Sequence, residues 1–270
     1  MAYILRQMLN FYQYYMIDYS DQRSDSLPIV NSAITVIGIV AAYLYIVLSL
    51  GPRLMEKRQP FNIKKILIVY NTFQIVANLA VLFFIIKATY WQGNYSLICT
   101  GTSNRDDLSE MSRNHVNATY LYFLLKILDL LDTVFFLLRK RFTHITFLHV
   151  YHHSAMVIAV YIATRFLPAG QATMLGILNS MVHCLMYGYY LVSALNKNVA
   201  QSIWWKKHIT QIQMVQFLML VIHFMIGLLA TDCSYPKSIS FVMVIQNLFM
   251  LFMFGDFYIK TYFKNKTKDQ

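Results

Sequence analysis

The chain has 270 residues, 57% hydrophobic, 16% aromatic and 13% charged, about half the charged fraction of an ordinary soluble domain. That balance excludes a water-soluble globule, and 9 Gly with 5 Pro exclude low-complexity and collagen-like chains. The apolar residues fall in long blocks without heptads, so a coiled-coil rod is excluded too.

Crossing a bilayer core takes roughly 20 mostly apolar residues, and seven blocks reach that length, near 28–50, 65–86, 117–138, 144–166, 172–195, 210–230 and 238–260. The expected fold is therefore all-α: one polytopic domain over residues 1–270, a seven-helix bundle enclosing a chamber, with only short loops. Barrel strands would be about half as long and would alternate. Met1 to Ser26 has no compact apolar core with a small-residue cleavage site, so the first span reads as a signal anchor.

Lys and Arg in alternate loops set the orientation. One side collects 15 of the 23, including Arg139, Lys140, Arg141, Lys206, Lys207, Lys266 and Lys268, against Glu56, Asp256 and Asp269; the other collects 7, matched by 7 acids. The first side is expected in the cytosol, which puts residues 1–27 in a lumen and the tail 261–270 in the cytosol. In that orientation Asn94 of the sequon Asn94-Tyr-Ser96 is open to glycosylation and Asn265 is not. A one-sided basic face suits anionic lipid or a phosphate-bearing substrate. Nucleic acid is a poor partner, since nothing outside the membrane is large enough for a recognition module. Cys99 and Cys233 both fall on the lumenal side, where a disulfide and two free thiols are equally open readings.

Ionisable residues at membrane depth are costly and point to function. The third span carries Lys126, Asp129, Asp132 and Thr133. Lys126 pairs naturally with Asp129 at i, i+3, which leaves Asp132 to face a group from elsewhere. The fourth span offers His149, His152 and His153, an HxxHH cluster on one sector of the helix. The fifth adds Asn179, His183, Met186, Tyr187 and Tyr190, and the sixth Thr210, Gln213, Gln216 and Phe217. Single polar residues in spans are commonly interhelical glue; four adjacent stripes imply a polar chamber.

Two chemistries fit. Clustered His and carboxylates bind iron or zinc, as in membrane di-iron enzymes of lipid modification, although this chain has a single box and His115, His144, His208 and His223 lie scattered. Alternatively, a neutral imidazole attacks an acyl thioester or removes a proton, with Asp132 fixing a histidine tautomer and Lys126 offsetting charge. A receptor, transporter or non-enzymatic lipid carrier would also show polar stripes, but would not explain carboxylates, histidines and amides at the same ends of successive spans.

Lys126-x-x-Asp129-x-x-Asp132-Thr133, His149-x-x-His152-His153, Asn179-x-x-x-His183-x-x-Met186-Tyr187-x-x-Tyr190 and Thr210-x-x-Gln213-x-x-Gln216-Phe217 resemble, in order and spacing, the four signatures of the very-long-chain fatty acid elongases. One departure stands out: those enzymes usually carry Glu where this chain has Asp129, one methylene shorter. The resemblance implies condensation of a long-chain acyl-CoA with malonyl-CoA in the endoplasmic reticulum membrane, yielding a 3-oxoacyl-CoA, CO2 and CoA without a metal or other cofactor. It further implies His152 and His183 as the reactive pair, with His149, His153, Asp132, Lys126 and Asn179 completing the catalytic set. Asp129, Thr133, Tyr187, Tyr190, Gln213, Gln216, Lys206 and Lys207 are expected to bind substrate. The same resemblance favours a Cys99–Cys233 disulfide and reads Lys266 and Lys268 as a loose dilysine retrieval signal. The implied partners are membrane lipid and the reductases and dehydratase of the elongation cycle, with homo-oligomerisation open.

Overall fold

The computed structural model describes residues 19–91 and 95–263, together with residues 3, 6, 7, 10 and 12–14. Asn94, Lys266 and Lys268 lie outside the described residues. Among the described residues there are helices and no strands: α1 (Ala33–Met55), α2 (Lys64–Ala88), α3 (Glu110–Leu128), α4 (Leu131–Leu138), α5 (Phe147–Phe166), α6 (Thr173–Leu195), α7 (Lys197–Gln201), α8 (Ile203–Leu229) and α9 (Lys237–Tyr262).

Six of these, α1, α2, α5, α6, α8 and α9, are long and apolar enough to cross a membrane. The remaining expected span, 117–138, is two helices in the structure. α3 starts earlier, at Glu110, with Ser109 capping it through a hydrogen bond from the Ser112 amide, and its polar first turns lower its overall hydropathy. It ends at Leu128 because the backbone tightens: the Leu130 amide donates to Ile127 O (3.2 Å) and the Asp132 amide to Asp129 O (3.2 Å). These i→i−3 bonds leave the Leu128 carbonyl without its helical donor, a costly state at membrane depth. The hydroxyl of Tyr70, from α2, donates to that carbonyl at 3.2 Å.

α1 is also irregular. Pro52 has no N–H to donate, and the preceding stretch Ile46–Leu50 widens into a π turn, with the Gly51 amide reaching Ile46 O. Gly51 packs so closely on Leu137 that a Cβ there would overlap the leucine side chain. This close approach seats α4 against α1.

α2 lies along α6, α3 along α5, and α8 along α9. The main apolar core is built from one face of α1 (Val36, Val40, Tyr43), α2 (Val81, Ile85), α3 (Tyr122, Phe123) and α5 (Val157, Tyr161). Outward faces stay apolar, as lipid contact requires; Phe73 on α2 and Phe252 on α9 are 53% and 72% exposed.

At the end where α1 begins, Cys99 and Cys233 form a disulfide with Cα atoms 5.6 Å apart. Beside it Gln171 donates to the carbonyls of Ile98 (3.2 Å) and His223 (3.1 Å). Arg23 pairs with buried Asp21 and also reaches Ser103 and, in α3, Ser112, while Arg165 pairs with Asp25 at 2.5 Å. These contacts tie the chain before α1 to α3 and α5. The basic loops, Arg139–Arg141 among them, gather at the opposite end, where α4 stops and α5 starts.

Candidate active site

The break after α3 delivers Asp129 into the space between α2, α3 and α6. Lys126, one turn earlier, donates from Nζ to Asp129 Oδ2 at 2.6 Å and to Asn179 Oδ1 at 2.9 Å, and both partners are buried. His183, one turn beyond Asn179 on α6, sets Nδ1 3.5 Å from that ammonium and 3.4 Å from Asp129 Oδ2. The tautomer decides which of the two Nδ1 addresses. Tyr122 donates to Asn179 Oδ1 at 2.8 Å. With two donors on its oxygen, the Asn179 amide is fixed, and Nδ2 is the donor it keeps for another acceptor.

Asp129, despite its shorter reach, is thus central. Its other oxygen accepts from Gln74 Nε2 (3.1 Å) and lies 3.1 Å from the Tyr187 hydroxyl, whose single hydrogen it shares with Asp132. The Lys126 ammonium on one oxygen and the Gln74 amide on the other suit an ionised carboxylate taken out of water.

The expectation that Asp132 orients a histidine is corrected by the structure. Its Oδ2 accepts from the Tyr187 hydroxyl at 2.7 Å, and it occupies the first turn of α4, where the helix dipole favours a negative group. The carboxylate beside a histidine is Asp129. The reason is the helix break: with i→i−3 bonding, Asp132 turns toward α6 and Tyr187 instead of toward α5.

Thr133 is fully buried and bridges two elements. Its Oγ1 lies 2.9 Å from His149 Nε2 and 2.8 Å from the Tyr43 hydroxyl of α1. Thr146 caps α5 by accepting from the His149 amide, so His149 and His153 stand one turn apart with ring centroids at 4.3 Å. His152 packs edge-on to His153 at 5.6 Å and to Phe217 of α8 at 6.3 Å. It is also within electrostatic range of Lys126 and Asp129.

The α8 stripe is divided. Phe217 and Gln216 are buried, and Gln216 Oε1 has no partner among the described residues. Gln213 Nε2 reaches the Met186 sulfur at 3.7 Å, and Thr210 bonds back to Lys206 O at 3.0 Å. Tyr190 stacks edge-on to Tyr187 at 6.0 Å. Lys206 is exposed and Lys207 sits over the Phe263 ring at 5.5 Å, both at the basic end and apart from the buried cluster. Among the described residues no three His, Cys, Asp or Glu side chains converge as a metal-ligand set.

Sequence reasoning missed Tyr43, Tyr70, Gln74 and Tyr122. Tyr70, Gln74 and Asn78 form a buried stripe at i, i+4, i+8 along α2, a pattern legible in the chain had that span been searched for polar periodicity.

The molecule is a multi-pass helical membrane protein with a lysine–carboxylate–histidine cluster at the break of one helix. Over residues 28–270 the chain matches the ELO: GNS1/SUR4 family. It is similar to a very long chain fatty acid elongase of Aedes aegypti, 36% identical over 268 residues, covering 98% of this chain and 73% of the relative. Very long chain fatty acid elongase 7 of Drosophila melanogaster is 35% identical over 251 residues (93% and 75%), and very long chain fatty acid elongase 1 of Mus musculus 32% over 266 residues (97% and 93%). The chain belongs to the ELO family.

Proposed function

We propose that this protein is an enzyme of fatty acid elongation and carries out the condensing step, joining an acyl-CoA to malonyl-CoA to give a 3-oxoacyl-CoA, CO2 and CoA. The observation that carries this reading is the buried cluster of Lys126, Asp129, Asn179 and His183, set in a membrane bundle with the His149–His152–His153 box. A reaction between an apolar acyl chain and polyanionic CoA esters needs charge handling next to an apolar enclosure, and few other chemistries call for that pairing. Family membership supports the same substrate class.

In the proposed mechanism a neutral imidazole nitrogen of His152 attacks the acyl thioester carbonyl. The C–S bond breaks, the imidazole proton passes to the departing thiolate, and CoA leaves. Malonyl-CoA then enters; its carboxylate departs as CO2, and the electron pair of the broken C–C bond forms an enolate that attacks the acyl-imidazole. The imidazole is expelled and takes up one proton from solvent, relayed by His183 or His153, so that the cycle consumes one proton overall. Asn179 Nδ2 is suited to donate to the oxygen that becomes negative, and the Lys126 ammonium lowers the cost of that charge. His183 and His153 handle protons. The apolar packing around α5 and α6 keeps water from the acyl-imidazole.

We place the enzyme in the endoplasmic reticulum membrane with its basic end toward cytosolic CoA esters, supplying the reductases and dehydratase that complete the cycle. The test is purified protein given long-chain acyl-CoA and carboxyl-labelled malonyl-CoA. Labelled CO2 released mole for mole with 3-oxoacyl-CoA supports the reading, in preparations without stoichiometric metal. No product across saturated and unsaturated acyl lengths overturns it, and loss of activity together with near-unit iron or zinc on chelation overturns the metal-free mechanism.

A further inference from the structure

Asp129 is held from a direction that the four motif stretches do not supply. α2 presents Tyr70, Gln74 and Asn78 inward, 9%, 0% and 0% exposed. Gln74 Nε2 donates to the Tyr70 hydroxyl at 2.9 Å and to Asp129 Oδ1 at 3.1 Å, which uses both amide hydrogens. Asn78 Nδ2 donates to the Gln74 backbone carbonyl at 2.8 Å and faces Gln74 Oε1 at 3.4 Å, so a flipped Gln74 amide would set oxygen against carboxylate and nitrogen against nitrogen. The Tyr70 hydroxyl in turn donates to the Leu128 carbonyl, freed where α3 breaks. The chain of bonds is directional from Asn78 through Gln74 to both the carboxylate and the break that presents it.

Structural glue between spans is the competing account of such a stripe. Two features separate the cases. Glue needs a partner on another helix, not one whose second oxygen binds the Lys126 ammonium at 2.6 Å and lies 3.4 Å from His183. Glue also does not require both amide hydrogens of Gln74 to be spent on the carboxylate and on the tyrosine that holds the helix break.

We infer that Gln74 is a positioning residue for the condensation: by donating to Asp129 Oδ1 it sets the carboxylate so that Oδ2 faces Lys126 and His183, and Tyr70 fixes the backbone at the break so that this geometry persists. The inference rests on the proposed condensing activity. Gln74 acts through Asp129 and Tyr70 and touches no reacting atom.

One-methylene exchanges test this. Gln74→Asn withdraws the amide from Asp129, and Asp129→Glu extends the carboxylate toward it, so the pair Gln74→Asn/Asp129→Glu re-forms the contact at nearly the original span. Each single variant is expected to lower kcat about tenfold, with KM for both CoA esters within about twofold of wild type. The double variant should exceed the product of the two single effects by roughly fivefold or more. Phe73→Leu, on the exposed face of α2, is the control and keeps wild-type kcat. A second readout needs no turnover: the infrared carboxylate band assigned through Asp129→Asn should shift in Gln74→Leu.

Independent, multiplying effects at positions 74 and 129 overturn the inference, as does Gln74→Leu with wild-type kcat, or with an unshifted carboxylate band. Gln74→Leu that lowers the thermal midpoint while kcat per folded molecule is kept assigns the residue to glue and overturns it too. If wild type itself makes no 3-oxoacyl product, the proposed function fails by that result, and the infrared shift alone decides whether Gln74 positions Asp129.

Discussion

Replacing Lys126 by methionine keeps the length of the stem and removes the charge, which isolates the buried pair from its packing. The ammonium lies 2.6 Å from Asp129 Oδ2 and 2.9 Å from Asn179 Oδ1, with side-chain exposures of 2% for Lys126 and 3% for Asp129. Taking away one partner of such a pair leaves an uncompensated charge and costs about 3–5 kcal/mol, whereas removing both is close to neutral. For a chain of this size each kcal/mol moves the midpoint by about 2–4 °C. Lys126→Met should therefore unfold roughly 6–20 °C below wild type, and Lys126→Met/Asp129→Asn should recover more than half of the loss while staying inactive. The assay is thermal unfolding of detergent-purified protein at one fixed scan rate, under conditions where the signal returns on cooling, so that the midpoint reports an equilibrium. A single variant within about 2 °C of wild type, or a double variant no more stable than the single, would refute the charge-pair reasoning.

Three further outcomes follow from the same geometry. Tyr43→Phe removes the hydroxyl 2.8 Å from Thr133 and loosens His149; kcat at saturating substrate should fall about two- to tenfold with the fold intact, and an unchanged kcat would remove Tyr43 from the account. Cys99→Ser/Cys233→Ser opens a link between residues 134 apart and should cost about 2–5 kcal/mol in stability, yet leave kcat per folded molecule near wild type, since the disulfide sits at the end of the bundle away from the basic loops. Hydrogen bonds from the Ser109 amide and hydroxyl hold the Asp107 carboxyl below its ordinary value of 3.8. The folded state therefore binds that proton less tightly than the unfolded chain, so the contribution is complete above 3.8 and disappears as pH falls through the lower folded value; in Asp107→Asn the thermal midpoint should vary less with pH on that acid limb, and an unaltered acid limb would contradict it.

The length of the apolar blocks located six of the seven expected spans, because a bilayer forces backbone groups to pair within helices and sets a length for each block. The same reasoning joined Lys126 to Asp129 by their spacing, and it assembled the His149–His152–His153 box and the Asn179–His183 stripe on single faces. It failed at 129–130, where it ran one helix through a stretch in which Asp129 and Asp132 are buried and the backbone adopts i→i−3 bonds. That local change sends Asp132 to Tyr187 and Asp129 to His183, a swap that no side-chain spacing on an ideal helix reveals. Thr133, Tyr187 and Asp129, expected among substrate contacts, are hydrogen-bonded within the protein: Thr133 to Tyr43 and His149, Tyr187 to Asp132, and Asp129 to Gln74 and Lys126. Long-range partners such as Tyr43 and Gln74 depend on which helices lie side by side, and that information is tertiary.

Acyl transfer to an imidazole of the box before malonyl-CoA arrives, as proposed above, is open to direct measurement. Protein given long-chain acyl-CoA alone should release CoA in an amount near that of enzyme, and rapid-quench mass spectrometry should find the acyl group on His152, with both signals absent in His152→Ala. A burst that survives His152→Ala with the acyl mass on another residue would contradict the assignment of the nucleophile, and no burst from active wild-type enzyme would show that the malonyl-derived enolate attacks bound acyl-CoA directly.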